Sequence, residues 1–498
     1  MSSSTKTNSP SSPATSAKDS AFILLNPDYR KRLKPTVKLK IINQFFPPDY
    51  AATGQLIEEL AHNLKDSGYY VDVFTSQPSY AFDRNDSPRI ETFTSQPART
   101  FDRNESHRIE TFTNQLPHTF DRTDSRHSKV STPSFCPYPP VTPSPKANGS
   151  LSVRRSQSER FWPQRIRGKA VAGAIFFLRT ALHLLRHPDS RELVLLTTAP
   201  PFLPLLGYLL SRVCTIRYVC LLYDLYPDIA IELGVIKKKH WISKLWDRLN
   251  RLTWQEAAGI IVLSETMKER ILAKQPGIDD KIVVIPSWVD TNQIVPMRKQ
   301  DNWFAQEHGL VEPFTVLYSG NMGRCHDMDT LFNAIILLRD TPIKFVFIGS
   351  GDKRKDFQDR VAELGLTNCL FLPYQSRENL PFSLTACDVS IVSISKGMEG
   401  LVAPSKLYSA LAAGRPIVSI CEENSYLNDI FAQARCGITL RNGDSQGLAD
   451  YLHRLSQNPR LTEALGRSGH KYCLENYTAE KIAGDYQKLF ESLAPFKN

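Results

Sequence analysis

The sequence has no Cys-x-x-C pair, and its nine cysteines are an odd number. A disulfide framework pairs its cysteines and a zinc ribbon uses closely spaced cysteine pairs, so the sequence predicts neither. Reduced thiols of a cytoplasmic protein are the plain interpretation. The chain is 41% apolar and 10% aromatic, which is enough for large hydrophobic cores. Its 498 residues are too many for one core, so we expect two or three domains.

Long uninterrupted apolar runs are also missing. Residues 1–36 are rich in Ser, Thr and Pro, and their one apolar run, Ala21 to Leu25, is too short for the core of a signal peptide. We expect this segment to be a disordered leader. Residues 193–213 are apolar over a longer distance, but three prolines interrupt them. A strand, a turn and a short buried helix fit this segment better than a membrane span.

Acidic residues are scarce between residues 151 and 190, a segment with eight Arg or Lys and only two Asp or Glu. The whole chain has a formal charge of +10. Such a segment suits nucleic acid or an anionic membrane surface. No recognisable nucleic-acid-binding motif accompanies the charge, so we expect no nucleic-acid partner. A peripheral position on the inner face of the plasma membrane is the expectation that remains.

A helix is predicted over residues 170–186 within this basic segment. Its spacing places Arg179, His183 and Arg186 on one face. A second face is an apolar stripe of Val171, Ile175, Leu178, Leu182 and Leu185. The helix could lie in a membrane interface. The alternative is a helix of a folded domain with an ordinary solvated face.

Three copies of a 19-residue unit follow residue 76, with Phe82, Phe101 and Phe120 at equivalent positions. Each copy offers few apolar residues for stacking on its neighbours, and a Ser/Pro-rich tract follows. We expect residues 77–160 to be a disordered low-complexity insertion in a loop of the first domain. A small folded repeat module is the alternative.

Short β-branched runs alternate with helical patterns on both sides of the insertion. The first set is 38–43, 71–74, 193–197, 216–222, 259–263 and 281–285, and the second set is 314–318, 343–348, 369–372, 389–394, 417–420 and 438–440. This alternation is typical of parallel sheets with helices on both faces. We expect an α/β chain with two Rossmann-like parallel-sheet domains facing across a cleft, at 37–294 and 295–477. A final helix at 478–498 is expected to return to the first domain.

The segment KGMEGLVAPSKLYSALAAGRPIVS, residues 396–419, carries the strongest signal for a ligand. Pro404 suits the first turn of a helix, whose free amides would point into the cleft. Those amides and Lys406 suit the phosphates of a sugar diphosphate, and Glu399 suits sugar hydroxyls. Gly400 allows close approach of a ligand. The alternative is an ordinary Ser/Lys helix start with one exposed Glu.

Similar loops follow other predicted strands. Gly320, Asn321 and Arg324 form a small phosphate-facing loop after the first strand of the second domain. Gly349 ends another strand of the same domain. In the first domain Gly54 stands at a helix start after the first strand, and Asp224 follows the strand at 216–222, which places it in the cleft.

These motifs together resemble those of the retaining GT-B glycosyltransferases. They include FFPPDYAATGQ, YDLYPD, GIIVLSETMKERI, IPSWVDTNQIVP, YSGNMGR, GSGDKR and EGLVAPSKLYSALAAGRPIV, in the order of that family. The resemblance is to family 4, and within it to bacterial transferases of surface polysaccharide synthesis, including fucosamine transferases.

The resemblance implies a nucleotide-diphosphate sugar held by the second domain, an acceptor held by the first, retention of configuration, and no metal or cofactor. It implies catalytic roles for Asp224 and Glu399, with Tyr223 where relatives often have His. The implied donor-binding residues are Gly54, Gly320, Asn321, Arg324, Gly349, Gly400, Leu401, Val402, Ser405, Lys406 and Ser409. Many relatives carry a second glutamate eight positions after the first, a position that is Ser409 when counted back from Gly414 and Leu407 when counted on from Glu399. The usual Lys partner of Arg324 is also missing, and His326 is nearest to its position.

The leading hypothesis is therefore transfer of a hexose or N-acetylhexosamine to a lipid-linked saccharide. Two alternatives remain open: a nucleotide-sugar 2-epimerase of the same fold, and a non-catalytic membrane-attached assembly protein with a degenerate donor site.

Overall fold

The computed structural model describes residues 37–49, 51–77, 149–156, 166–187, 189 and 191–494, and for 166–170 only the backbone. The predicted leader, the 19-residue repeats and the Ser/Pro-rich tract lie outside these residues. The described residues form two parallel sheets. We call each sheet, together with the helices that cover it, a lobe: the first lobe and the second lobe, in chain order.

The first lobe has seven strands, all parallel, in the order β3-β2-β1-β4-β5-β6-β7. They are β1 Lys38–Ile42, β2 Tyr70–Ser76, β3 Ser150–Ser156, β4 Glu192–Thr197, β5 Arg217–Leu222, β6 Gly259–Val262 and β7 Ile282–Val284. The helices of this part of the chain are α1 Ala52–Asp66, α2 Ile166–Arg186, α3 Pro204–Ser211, α4 Asp228–Glu232, α5 Trp241–Glu256 and α6 Glu265–Lys274.

The second lobe has six parallel strands in the order β10-β9-β8-β11-β12-β13. They are β8 Phe314–Ser319, β9 Ile343–Ile348, β10 Cys369–Leu372, β11 Val389–Ser393, β12 Ile417–Cys421 and β13 Gly437–Arg441. The helices are α7 Trp303–Glu307, α8 Asp329–Leu337, α9 Arg354–Glu363, α10 Leu380–Thr385, α11 Lys406–Ala412, α12 Tyr426–Ala434, α13 Ser445–Ser456, α14 Pro459–Asn476 and α15 Ala479–Leu493.

The predicted fold class is confirmed, since two parallel sheets with crossover helices are present and every predicted strand lies in one of them. Both orders reverse direction beside the first strand of the lobe, where β4 follows β1 and β11 follows β8. Loops at such a reversal diverge and leave a crevice at the carboxyl ends of the strands. The fold therefore places the loops after β1, β4, β8 and β11 where a ligand would bind.

The structure differs from the sequence prediction at β3, Ser150–Ser156, which was expected to belong to the disordered insertion. This strand pairs in parallel with β2 along its whole length. It is an edge strand, and most of its side chains are at least partly exposed. Because main-chain hydrogen bonds to β2 hold it, its sequence needs no apolar alternation, which is why the pattern did not reveal it.

The last helix, α15, follows the second lobe in the chain but packs on the first lobe. Tyr486 and Phe490 are fully buried in the same core cluster as Ile57 and Leu60 of α1. The hydroxyl of Tyr69 also donates to the main-chain carbonyl of Gln487 at 3.4 Å. The chain therefore crosses between the lobes twice.

Helix α2 leaves four of the five residues of the predicted apolar stripe exposed and buries another side, which the sequence did not reveal. Phe176, Thr180 and Leu184 face the first-lobe core and are at most 2% exposed. Of the three residues predicted to share one face, Arg179 and Arg186 are exposed, whereas the ring of His183 stacks on Phe74 with 4.4 Å between the ring centres. Burial lowers the pKa of His183 to about 4. Within the described ranges, no helix has the length and apolarity to cross a bilayer.

Candidate functional site

The carboxyl ends of β8 and β9 approach each other so closely that only glycine fits there. Gly349 follows β9 with φ +126°, and a Cβ atom on it would lie 2.3 Å from the carbonyl oxygen of Gly320. Gly320 follows β8 with φ +116°. Both values lie where side chains are strongly disfavoured. The two glycines therefore leave this edge of the second-lobe sheet without side chains, so a ligand could contact main-chain atoms there directly.

Lys406, the first residue of α11, reaches this edge from the segment EGLVAPSKLYSALAAGRPIV, residues 399–418, which we call the donor motif. Its ammonium donates to the Tyr318 hydroxyl at 3.1 Å and to the Asn321 carbonyl at 3.0 Å. It also lies 4.6 Å from the centre of the Tyr318 ring, in a cation–π contact. A Cβ atom on Gly320 would be only 3.4 Å from the Lys406 Cε atom. The sequence predicted that Gly320, Asn321 and Lys406 share one site, and the structure brings them together.

His326 completes this cluster. Its Nδ1 atom lies 2.7 Å from the carbonyl oxygen of Ser393. A carbonyl can only accept, so Nδ1 carries the proton and Nε2 presents a lone pair. The Lys406 ammonium lies 3.5 Å from that Nε2 atom. Burial and the neighbouring lysine lower the pKa of His326 to about 3, so its ring is neutral.

The charge of Lys406 has no anionic partner in the described part of the chain. Its hydrogen-bond partners are a hydroxyl, a carbonyl and an imidazole, all neutral. Burial therefore lowers the pKa of its ammonium to about 7. A half-buried cation without a counter-ion at the carboxyl ends of parallel strands is a suitable binding group for a phosphate.

Helix α11 differs from the predicted helix start. It begins at Lys406, two residues after Pro404, and it is seven residues long. Ser405 is exposed, and Ser409 uses its hydroxyl within the helix, donating to the Lys406 carbonyl at 3.1 Å. Such a short helix contributes little dipole, so any affinity for an anion here depends mainly on the side chain of Lys406.

Glu399 is buried at the contact between the lobes, with 1% of its surface exposed. One carboxylate oxygen accepts hydrogen bonds from the Thr266 hydroxyl at 2.7 Å and from the Tyr426 amide at 3.4 Å. Burial raises the pKa of Glu399 above its ordinary value. The alternative of an exposed Glu beside an ordinary helix start is therefore wrong. A role of this carboxylate toward sugar hydroxyls stays a prediction.

The residues after Glu399 pack directly on the first lobe. Gly400 has φ +71°, and a Cβ atom on it would lie 2.6 Å from the Thr266 carbonyl oxygen. The Leu401 carbonyl accepts from the Leu225 amide at 3.0 Å, and Val402 forms an isolated antiparallel bridge with Asp224. These contacts join the start of the predicted donor motif to the loop after β5.

Asp224 therefore lies beside the donor motif, as its position after β5 predicts. Burial raises the pKa of this carboxyl to about 6. Tyr223, which the resemblance places where family members often have a histidine, points the other way, because its side chain is buried in the first-lobe core. It contributes packing to the core and no group to the site.

Arg324 and Gly54 have structural roles that the sequence did not reveal. The exposed Arg324 guanidinium donates to the Leu233 carbonyl of the first lobe at 2.8 Å. A Cβ atom on Gly54, in the first turn of α1, would lie 3.1 Å from the Phe45 carbonyl carbon. Contact of either residue with a phosphate stays a prediction.

Sequence reasoning missed several contacts between the lobes. Thr266 and Arg270 of α6 bind the side chain and the main-chain carbonyl of Glu399, at 2.7 and 3.1 Å. On another side, Arg377 donates to Glu58 at 3.2 Å and to Glu59 at 2.8 Å. These residues are far apart in the chain, and no local pattern pairs them.

Two family models match the chain. The model described as "Glycosyl transferase 4-like domain" matches residues 52–288, and the model described as "Glycosyl transferases group 1" matches residues 299–472. The division between the two matches falls between β7 and β8, the last strand of the first lobe and the first of the second.

Two curated bacterial proteins are similar in sequence. The chain is 26% identical over 271 residues to a Pseudomonas aeruginosa protein named as a probable glycosyltransferase, WbjE, covering 53% of this chain and 66% of that one. It is 26% identical over 227 residues to an Escherichia coli K12 protein named for colanic acid biosynthesis, WcaI, covering 45% and 55%. The matches thus span about half to two thirds of these relatives.

Two solved structures share the fold across nearly the whole chain. Sucrose-phosphate synthase from Thermosynechococcus elongatus superposes with a TM-score of 0.62 at 16% identity, covering 92% of this chain and 99% of that one. Anabaena HepE, solved in complex with UDP-glucose, gives 0.60 at 13% identity, covering 91% and 99%. The architecture of the two lobes is therefore that of these structures.

Proposed function

We propose that this GT-B glycosyltransferase, with a 4-like first lobe and a group 1 second lobe, moves a hexose or N-acetylhexosamine from a nucleotide-diphosphate sugar to a saccharide acceptor in polysaccharide biosynthesis. The donor binds the second lobe and a lipid-linked acceptor binds the first. The anomeric configuration is retained, and no metal or cofactor takes part. The name of the Escherichia coli relative and the UDP-glucose in the Anabaena structure support this assignment.

The observation that carries the proposal is the uncompensated charge of Lys406. Removing a cation from water is costly unless an anion approaches it. Here the described residues supply neutral partners only, at an edge formed by Gly320 and Gly349. A diphosphate at this edge would provide the missing counter-ion, and it would raise the pKa of the ammonium back toward its ordinary value.

The same charge supports the chemistry. When the bond between the sugar and the diphosphate breaks, negative charge develops on the leaving phosphate oxygen. Lys406 would exchange its long 3.5 Å contact with His326 for a phosphate oxygen while keeping its bonds to Tyr318 and Asn321. The neutral His326 holds the lysine without competing for its charge. Asp224 and Glu399, which flank the start of the donor motif, would orient the reacting sugars.

The test is calorimetry of the purified chain with a panel of nucleotide sugars that varies the base and the sugar. We expect one donor class to bind, and we expect Lys406→Met to weaken it by about tenfold to a hundredfold, the loss of one charge-assisted phosphate contact. Lys344→Met is the matched control. Lys344 is also half-buried and bonded to a carbonyl, at 3.5 Å, but it lies at the opposite end of β9.

Transfer is then followed with the bound donor and saccharide acceptors, and the anomeric configuration of the product is read by NMR. No binding across the panel would overturn the proposed function. Isomerised donor appearing without an acceptor would identify a nucleotide-sugar epimerase instead.

A further inference from the structure

Helix α2 has two apolar sides, and one of them faces solvent. The inner side, with Phe176 and Leu184, is buried in the first-lobe core. On the outer side, Val171, Leu178, Leu182 and Leu185 are 37, 62, 50 and 42% exposed. Their spacings of seven, four and three residues place them on one side of the helix. A core helix needs one apolar side, so packing against the part of the chain that the structure describes does not explain the outer row.

We call these four residues the outer leucine stripe. Single exposed leucines are ordinary on protein surfaces, but an aligned row of large aliphatic side chains marks a contact surface. The stripe lies on a helix whose opposite side is anchored in the core, so it is held in a fixed orientation. It can therefore insert as a shallow ridge, and it cannot penetrate deeply.

The charge around the stripe indicates what it contacts. Residues 166–187 contain four Arg or Lys and no Asp or Glu. Arg179 and Arg186 are exposed and follow the stripe along one flank of the helix. On the neighbouring edge strand, Arg154 is 55% exposed, and Ser156 accepts a 3.3 Å hydrogen bond from Arg179, which ties that strand to the helix.

We infer that α2 lies in the interface of an anionic lipid bilayer, with the outer leucine stripe among the acyl chains and Arg179 and Arg186 at the phosphate headgroups. An apolar row beside a basic flank, on a helix without acids, is the pattern of an interfacial helix. The membrane contact itself does not depend on the proposed function. Its role does, because under that function the contact would bring the cleft to a lipid-linked acceptor.

The experiment is sedimentation of the full chain with vesicles of phosphatidylcholine, with and without phosphatidylglycerol. We expect binding to the vesicles that contain phosphatidylglycerol, and at least a tenfold loss of binding for the double variant Leu178→Glu with Leu182→Glu. The matched control is Leu337→Glu with Leu364→Glu, which changes two leucines of the second lobe that are 50 and 55% exposed. This control should bind like the unchanged chain.

A second variant, Leu178→Ser with Leu182→Ser, removes the apolar contact without adding charge and should lose binding in the same direction. Arg186→Gln should weaken binding to the anionic vesicles. Sedimentation of the stripe variants at the level of the unchanged chain would overturn the inference. Equal binding to vesicles of phosphatidylcholine alone would also overturn it. The inference would also be overturned if the stripe variants changed only the oligomeric state of the chain, since the outer leucine stripe would then be a contact between protein molecules.

Donor binding by calorimetry separates this inference from the proposed function. We expect the stripe variants to bind the nucleotide sugar as the unchanged chain does. A chain that binds vesicles but no nucleotide sugar would retain this inference and lose the proposed function.

Discussion

Thr266 of the first lobe donates a 2.7 Å hydrogen bond to the carboxylate of Glu399 in the second lobe. The bond joins the first turn of α6 to the start of the donor motif, and Glu399 is buried at this contact. Because one oxygen of Glu399 already accepts from Thr266 and Tyr426, the orientation of the carboxylate is set by contacts from both lobes.

Glu399→Gln keeps the size of the side chain and removes its charge. We expect the rate of sugar transfer to fall by about a hundredfold, the usual loss when one electrostatic group is removed from a reacting centre. Thr266→Val removes one hydrogen bond to the same carboxylate, and we expect a smaller fall of about fivefold. Glu423→Gln is the control, because Glu423 is exposed and pairs with Arg441. An unchanged rate for Glu399→Gln would remove Glu399 from the reaction.

The raised pKa of Asp224 means that this one carboxyl stabilises the fold less at neutral pH than at acid pH. The carboxyl titrates at about 6 in the folded state and near 3.8 in the unfolded state, so the native state binds more protons between these values. This contribution to stability is therefore full below pH 4 and lost as the pH rises toward 6.

Asp224→Asn should remove that loss. We expect the variant to match the unchanged chain at pH 4 and to be about 2 kcal/mol more stable at pH 7, measured by urea unfolding. Sugar transfer should fall in the same variant, because Asp224 would no longer present a carboxylate. A difference in stability that is the same at both pH values would contradict the assignment to this carboxyl.

Donor affinity should depend on pH through Lys406. Its pKa of about 7 means that the ammonium is progressively lost above neutral pH. We expect the dissociation constant of the donor to rise by up to about tenfold for each pH unit above 7, because only the charged form pairs with a phosphate.

Lys406→Arg is the matched variant, since a guanidinium stays charged throughout this range. Its donor affinity, measured by calorimetry from pH 6 to 9, should be nearly independent of pH. The same slope in both proteins would show that another group titrates.

Gly349 tests the close approach of the two strand ends. Gly349→Ala places a Cβ atom 2.3 Å from the Gly320 carbonyl oxygen at φ +126°. We expect a loss of about 3 kcal/mol in the free energy of unfolding and a loss of donor binding. Gly365→Ala is the control, because Gly365 also has positive φ, +61°, but its Cβ would meet no atom within 4 Å. That variant should lose about 1 kcal/mol and bind the donor normally.

Much of the architecture could be predicted because its causes are local. Strands of parallel sheets covered on both faces favour short apolar runs, and every such run identified in the sequence is a strand of one of the two sheets. The edge strand Ser150–Ser156 could not be found in this way. Its exposed side chains leave no apolar pattern, and its main-chain bonds to β2 depend on where a distant segment lies.

In the candidate site, too, some features could be predicted from local sequence and others could not. The sequence by itself determined which loops end strands, and so it placed Gly320, Gly349 and Lys406 near one another. Only the tertiary structure decided that Lys406 has neutral partners, that Glu399 is buried against Thr266, and that the leucines of α2 face outward. The physical reason is that an element's own periodicity sets which residues share a face, whereas burial and pairing depend on what other elements bring to that face.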